Sequence, residues 1–154
     1  MSTINLITPG GQGLPGVPLI QYKSLEFRVW HFPTSQMYAV AYFTTVGIYP
    51  YTNAEKQSIA VEPFERKDCM LMQFSGVCDA KGVKIFEGNI LYWRHYDERE
   101  NELFEAWHEV TFGHGCFGTL SKNGDFDPFY VLNLGDVIVG NIFENTSLTR
   151  RCRI

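Results

Sequence analysis

The architecture of the chain follows most directly from residues 71–90, which read LMQFSGVCDAKGVKIFEGNI. Apolar and polar residues alternate at its start, with the two-residue period of a β-strand. Gly76, Gly82 and Gly88 then recur at intervals of six residues, and each can supply the positive φ angle of a tight corner. Asp79 and Gly82 occupy the first and fourth positions of a type I turn. We therefore predict short strands joined by tight corners, as in a small β-barrel.

The flanking sequence predicts further strands on both sides. Turn signals separate them, including Pro33 in residues 33–36 and the Asn123-Gly124 pair, a strong hairpin signal. The predicted strands are residues 25–32, 37–46, 90–95, 104–112, 130–134 and 136–143. Residues 49–67 are predicted to be irregular. The fold class is therefore mainly β: a small, partly open β-barrel of the SH3-like type with a long β-hairpin and little helix.

Two expectations concern parts of this fold. Alternation predicts one apolar face in the strand at residues 104–112, formed by Phe104, Ala106, His108, Val110 and Phe112. The three arginines within residues 150–153 are expected to form a small basic tail.

The chain divides into two regions by composition. Residues 1–24 hold four glycines, at positions 10, 11, 13 and 16, and three prolines, at positions 9, 15 and 18. Glycine and proline at this density interrupt helices and long strands. We expect residues 1–24 to form a Gly/Pro-rich N-terminal arm and residues 25–154 to form one β domain.

Composition limits the class of protein. Apolar residues make up 45% of the chain and charged residues 19%, which excludes a wholly disordered chain. The net charge of −4 argues against a dedicated nucleic-acid coat protein. The sequence offers neither a secretory signal nor an apolar run long enough for a membrane span. We expect a protein that stays in the cytoplasm, with reduced cysteines and no membrane contact.

Three patterns suggest chemistry, and each has a plainer structural interpretation. Residues 113–118 match G-x-G-x-x-G, but no helix is predicted after them, so the glycines are expected to serve a turn or bulge. His108, His114 and Cys116 could bind zinc, although His108 lies on the predicted apolar face. Ser75 lacks the G-x-S-x-G context of a nucleophile. We therefore predict no enzyme activity, no metal and no cofactor.

One stretch favours a contact surface. Rings and cations alternate in residues 93–96, and a further tryptophan lies in the next strand. Such surfaces stack on partners, including nucleic-acid bases. The candidate binding surface consists of Trp93, Arg94, Tyr96 and Trp107. Asp97 and Glu98 follow directly, so nucleic-acid or nucleotide binding remains the alternative to protein binding.

The stretch described first also resembles a known family. Residues 71–77, 79–82 and 85–90 are similar to the signature of the YopX-like phage proteins, approximately Q-[FY]-[ST]-G-L-x-D-x-x-G-x-x-I-[FY]-E-G-D-I. Residues 26–30, 109–117 and 139–145 fit in the same order. Two departures are Asn89, where the family usually has Asp, and the arm, which lies outside the shared region.

The resemblance implies a small β-rich protein encoded by bacteriophages or prophages, often oligomeric and without an assigned activity. It supplies no catalytic residues. We therefore predict a non-enzymatic accessory protein of the bacterial host cytoplasm that binds a host or phage protein and forms homo-oligomers. Host takeover or counter-defence is one version of this function, by analogy with other small phage proteins.

Overall fold

The computed structural model describes residues 25–129 and 136–153. The strands are β1 Phe27–His31, β2 Gln36–Phe43, β3 Ile48–Pro50, β4 Cys69–Cys78, β5 Lys84–Phe86, β6 Asn89–Asp97, β7 Glu102–Gly113, β8 Cys116–Leu120, β9 Phe126–Pro128 and β10 Val137–Asn141. A short 3₁₀ helix spans Arg66–Asp68, and helix α1 spans Thr146–Arg153. The predicted arm and the strand predicted at residues 130–134 lie outside the described residues.

The strands form two five-stranded antiparallel sheets. The first has the order β3-β2-β1-β4-β5, and the second has the order β10-β6-β7-β8-β9. Over the described residues the sheets do not close into a barrel. The prediction of a mainly β fold is confirmed, and β6 and β7 form the long hairpin.

Glycine corners carry the chain from the first sheet to the second. Gly76, Gly82 and Gly88 have φ angles of 86°, 79° and 75°, as the spacing predicted. At Gly88 the backbone amide donates to the carbonyl of Val110 over 2.8 Å. A Cβ at Gly88 would lie 3.2 Å from the sulfur of Met72, so the corner also packs closely against the first sheet. This corner therefore needs glycine for both conformation and space.

The main buried cluster lies between the two sheets, because Ile85 belongs to β5 of the first sheet and Leu91 and Val110 belong to β6 and β7 of the second. Ile85, Leu91 and Val110 are almost completely buried, and Val77, Phe129 and Ile138 pack around them. The first sheet buries Val29 and Trp30 in β1. Apolar contacts between the two sheets therefore stabilise both of them, in proportion to the area that they remove from water.

The segment predicted as a small basic tail forms a helix, α1, which spans Thr146–Arg153. Leu148 and Cys152 are four residues apart, so they share one face of the helix. Cys152 is buried, and α1 packs against β7, β10 and β6. Packing on the sheet therefore stabilises a short helix that the polar sequence alone does not indicate.

The predicted apolar face of β7 is only partly correct. Val110 is fully buried, but the exposed fractions of Phe104 and Phe112 are 40% and 54%. Glu109, on the opposite face, is buried. Alternation predicted which side chains share a face, but burial depends on what packs against that face.

Candidate functional site

The β6–β7 hairpin extends beyond the rest of its sheet. β10 pairs with β6 only as far as Tyr92, and β8 pairs with β7 only as far back as Glu109. β6 and β7 continue to pair with each other up to Asp97 and Glu102. Residues 93–108 therefore form a two-stranded ribbon, and no described strand pairs with either of its edges. We call this segment the ribbon.

The ribbon has two faces with different side chains. Arg94 lies opposite Glu105, and Tyr96 lies opposite Leu103. Paired residues of an antiparallel ladder share a face. Trp107 belongs to this same face, whereas Trp93 pairs with Ala106 on the other face. The structure thus places Arg94, Tyr96 and Trp107 on one face and separates Trp93 from them.

The chain itself covers part of Trp107. The guanidinium of Arg151 in α1 lies 4.7 Å from the centroid of the Trp107 ring. The ring of Tyr92 lies 5.2 Å away on the neighbouring strand. The Tyr92 hydroxyl donates to Oε1 of Glu105 over 2.5 Å, and this bond raises the pKa of Tyr92. Trp107 is therefore a packing residue at the base of the ribbon.

Apolar side chains are exposed towards the tip of the ribbon. The exposed fractions of Tyr96 and Leu103 are 51% and 53%, and that of Phe104 is 40%. The hydroxyl of Tyr96 donates to the side chain of Asn101 in the turn. The binding surface predicted from the sequence did not include Leu103, and Phe104 was assigned to the apolar face of its strand. The sequence feature that could have indicated both residues is an adjacent apolar pair inside an acidic run.

Acidic residues surround this apolar tip. The ribbon contains two arginines and five carboxylates, the latter being Asp97, Glu98, Glu100, Glu102 and Glu105. Its net charge is −3 with neutral histidines. The electrostatic potential of the ribbon therefore favours a basic partner surface and opposes phosphate.

Three polar side chains of the 71–90 stretch bond to the backbone. Oδ1 of Asp79 accepts from the amides of Lys81 and Val83, and Oδ2 accepts from Ile138 of β10 over 3.0 Å. Burial acts to raise the pKa of Asp79, but the three amides together lower it below its ordinary value. Asp79 therefore joins the β4–β5 turn to β10.

Ser75 and Asn89 have similar structural bonds. The hydroxyl of Ser75 donates to the carbonyl of Ile85 over 2.8 Å. The side-chain oxygen of Asn89 accepts from the amide of Phe86, and its nitrogen donates to the carbonyl of Gly140. These contacts account for both side chains as parts of the corners between strands.

The G-x-G-x-x-G segment forms a hairpin turn. Gly113 pairs with Cys116, and the two residues between them have positive φ angles, 50° at His114 and 83° at Gly115. This combination is typical of a type I′ turn. β8 follows directly, so the helix of a dinucleotide site is missing here and the expected turn is confirmed.

The three zinc candidates do not form a cluster. His108 pairs with Leu91 inside the sheet, whereas His114 lies in the turn. Within residues 25–129 and 136–153, no three His, Cys, Asp or Glu side chains are grouped to hold a metal ion. Burial lowers the pKa of His108, and Asp127 opposes this effect. His108 is thus a half-buried sheet residue.

Comparisons with known proteins agree with this fold. The crystal structure of protein EF1440 from Enterococcus faecalis matches with a TM-score of 0.54 and 22% sequence identity, over 80% of this chain and 96% of that chain. At this identity the likeness concerns the fold alone. No curated protein is significantly similar in sequence. Of the helices in the described part of the chain, none is both long and apolar enough to cross a membrane.

The family comparison covers most of the chain. The family model described as "YopX protein" matches residues 26–149. This range includes the glycine corners, the ribbon and β10, and it leaves out residues 1–25. The chain therefore belongs to the YopX family.

Proposed function

We propose that this YopX-family chain is a non-enzymatic accessory protein of phage or prophage origin that acts by binding another protein in the bacterial cell. The observation that carries the proposal is the ribbon. β7 continues for seven residues beyond its pairing with β8 and carries Leu103 and Phe104, both substantially exposed. Strand edges with exposed apolar side chains are suited to pairing with another chain.

The charge of the ribbon specifies the partner's chemistry. Three net negative charges surround the apolar tip. A partner with an apolar patch and a basic rim would bury the tip and neutralise these charges. Two ribbons would repel each other, so we propose that homo-oligomers, where they form, use another surface.

The remaining polar side chains support a binding function over catalysis. Three polar side chains of the family signature could in principle take part in catalysis, and each bonds to the backbone: Ser75, Asp79 and Asn89. A catalytic group needs an available proton or lone pair near a substrate. These bonds occupy the side chains in the corners of the fold.

Affinity capture from infected cells tests the proposal. The bait is the full chain, compared with Leu103→Ser/Phe104→Ser and with Val61→Ser. Val61 is 89% exposed and lies outside the ribbon, so it provides the matched control. We expect one protein to be retained by wild type and control and lost from the ribbon variant, with at least a tenfold weaker Kd in calorimetry with that purified protein. Equal retention by all three baits would contradict the proposal.

Nucleic-acid binding is the alternative class, supported by Arg94 on the same face of the ribbon as the exposed ring of Tyr96. Fluorescence anisotropy with single-stranded DNA and RNA at low and high salt tests it. Phosphate contacts make binding strongly salt-dependent. We expect no such binding. Tight, salt-sensitive binding that Arg94→Ala abolishes would replace protein binding as the function.

A further inference from the structure

An apolar groove lies between the two sheets, away from the face that carries Arg94. Its volume is about 430 Å³, and residues of β4, β7, β8 and β9 line it. None of the described lining residues is charged. Four phenylalanine rings dominate the lining: Phe74, Phe112, Phe117 and Phe129. The volume falls within the roughly 300–1,000 Å³ of ligand pockets. The groove is therefore suited to an uncharged, apolar occupant.

The position of Leu25 points to one occupant. Leu25 lines the groove, is 72% exposed and is the first described residue. Residues 1–24 therefore join the domain at the groove itself. The part nearest to Leu25, residues 17–22, reads VPLIQY and contains no charged side chain.

Length and tethering favour the same chain as the source. Eight extended residues reach up to about 26 Å, so residues 17–24 can span the groove from Leu25. A short tether gives an effective concentration of about millimolar. A free partner must be present at such a concentration to compete. The groove also lacks the charges that would select a charged foreign peptide.

We propose that the groove binds residues 17–22 of its own chain. The apolar side chains in this stretch cover the phenylalanine rings and remove them from water. The groove is thus an internal docking surface, distinct from the ribbon. The proposal does not depend on the function proposed above.

Cysteine labelling tests the proposal in the full chain. Cys116 lines the groove, Cys78 is exposed, and Cys152 is a buried residue of α1. Alkylation by iodoacetamide is followed at each cysteine by mass spectrometry. In Leu19→Asp/Ile20→Asp we expect Cys116 to react at least fivefold faster than in wild type. Cys78 and Cys152 should keep their rates.

The matched control is Leu6→Asp/Ile7→Asp, which adds the same charges in the distal part of residues 1–24. We expect this variant to label like wild type. An unchanged Cys116 rate in the first variant would overturn the proposal, because another occupant or none would then protect the groove. Faster labelling of Cys152 together with Cys116 would also overturn it, because that result indicates general unfolding.

A crosslink distinguishes the same chain from a second copy. Leu19→Cys is combined with Cys78→Ser and treated with a mild oxidant. We expect a disulfide between residue 19 and Cys116 within the monomer. A disulfide-linked dimer would overturn the assignment to the same chain, and no crosslink would overturn the docking itself.

Discussion

Asp79 joins three backbone amides from two separate segments with one carboxylate. Asp79→Ala removes all three acceptor contacts. We expect it to lower the free energy of unfolding by about 2–3 kcal/mol, since hydrogen bonds to a charged group contribute roughly 1.5–3 kcal/mol. Urea unfolding followed by circular dichroism measures this loss.

Asp125→Ala is the control for Asp79→Ala, because Asp125 is an exposed residue of the β8–β9 turn. The lowered pKa of Asp79 in the folded state also makes its contribution to stability depend on pH. Its contribution is present above the unfolded pKa of about 4 and is lost as pH falls through the lower folded pKa. An equal loss of stability in both variants at pH 7 would contradict the role of Asp79.

The contribution of Asp136 to stability has the opposite pH dependence to that of Asp79. Burial raises its pKa from 3.8 to about 6, and its Oδ1 has no hydrogen-bond partner within the described part of the chain. The folded state then binds the proton more tightly, so stability falls as pH rises from about 4 to about 6. We expect Asp136→Asn to have a higher Tm than wild type at pH 7 and nearly the same Tm at pH 4. The same difference at both pH values, measured by scanning calorimetry, would contradict this explanation.

The candidate residues show what single positions in a sequence can predict. Adjacent residues of a strand face opposite sides. Trp93 and Arg94 therefore could not share a face, and applying alternation to this pair would have separated them in advance. The covering of Trp107 by Arg151 joins residues far apart in the chain, so no local pattern predicts it.

At the level of elements, Gly118 determines how closely β9 approaches β8. A Cβ there would lie 2.4 Å from the carbonyl oxygen of Asp127. We expect Gly118→Ala to lower the free energy of unfolding by about 2–3 kcal/mol, since backbone shifts in a packed site cost roughly 1–3 kcal/mol. Thermal unfolding of the purified variants measures the change.

Gly124→Ala is the matched control for Gly118→Ala. Gly124 has a φ angle of 85°, but a Cβ there meets no atom within 4 Å. Its substitution therefore costs only the left-handed conformation, about 1–2 kcal/mol. A smaller loss for Gly118→Ala than for Gly124→Ala would show that β9 adjusts without cost.

Helix α1 contributes a cation–π contact to the fold, and a second arginine of the helix provides the control. Arg151 lies over Trp107, whereas Arg150 is an exposed neighbour of equal charge. We expect Arg151→Gln to lower the free energy of unfolding by about 0.5–1 kcal/mol, the value of an exposed cation–π contact. Arg150→Gln should have no measurable effect. Equal effects in urea unfolding would assign the change to net charge alone.

The elements differ in how far the sequence could predict them. The glycine corners were predictable because a positive φ angle leaves a local signature in residue type. Helix α1 was not, because its eight residues gain stability from the sheet beneath Cys152. The exposure of Phe104 depends on the absence of a third strand beside the ribbon in the described residues, which alternation within β7 cannot reveal.

Across the whole molecule, the segment after β10 links the two sheets. Phe143 stacks on Trp30 of β1 with a centroid distance of 5.2 Å and an interplanar angle of 11°. It also lies edge-on to Phe32 at 6.0 Å. Since β10 belongs to the second sheet and Trp30 to the first, this contact couples their stability.

Phe143→Ala tests this coupling. We expect a loss of about 2–4 kcal/mol, since removing a packed ring costs roughly 3–5 kcal/mol when it is fully buried and Phe143 is only half-buried. In a chain with Trp93→Phe and Trp107→Phe, the emission of Trp30 should also shift to the red as its ring meets water. Phe104→Ala is the control, because Phe104 is exposed on the ribbon and should change neither quantity. A loss of stability without any change in Trp30 emission would mean that Phe143 stabilises the second sheet alone and does not couple it to the first.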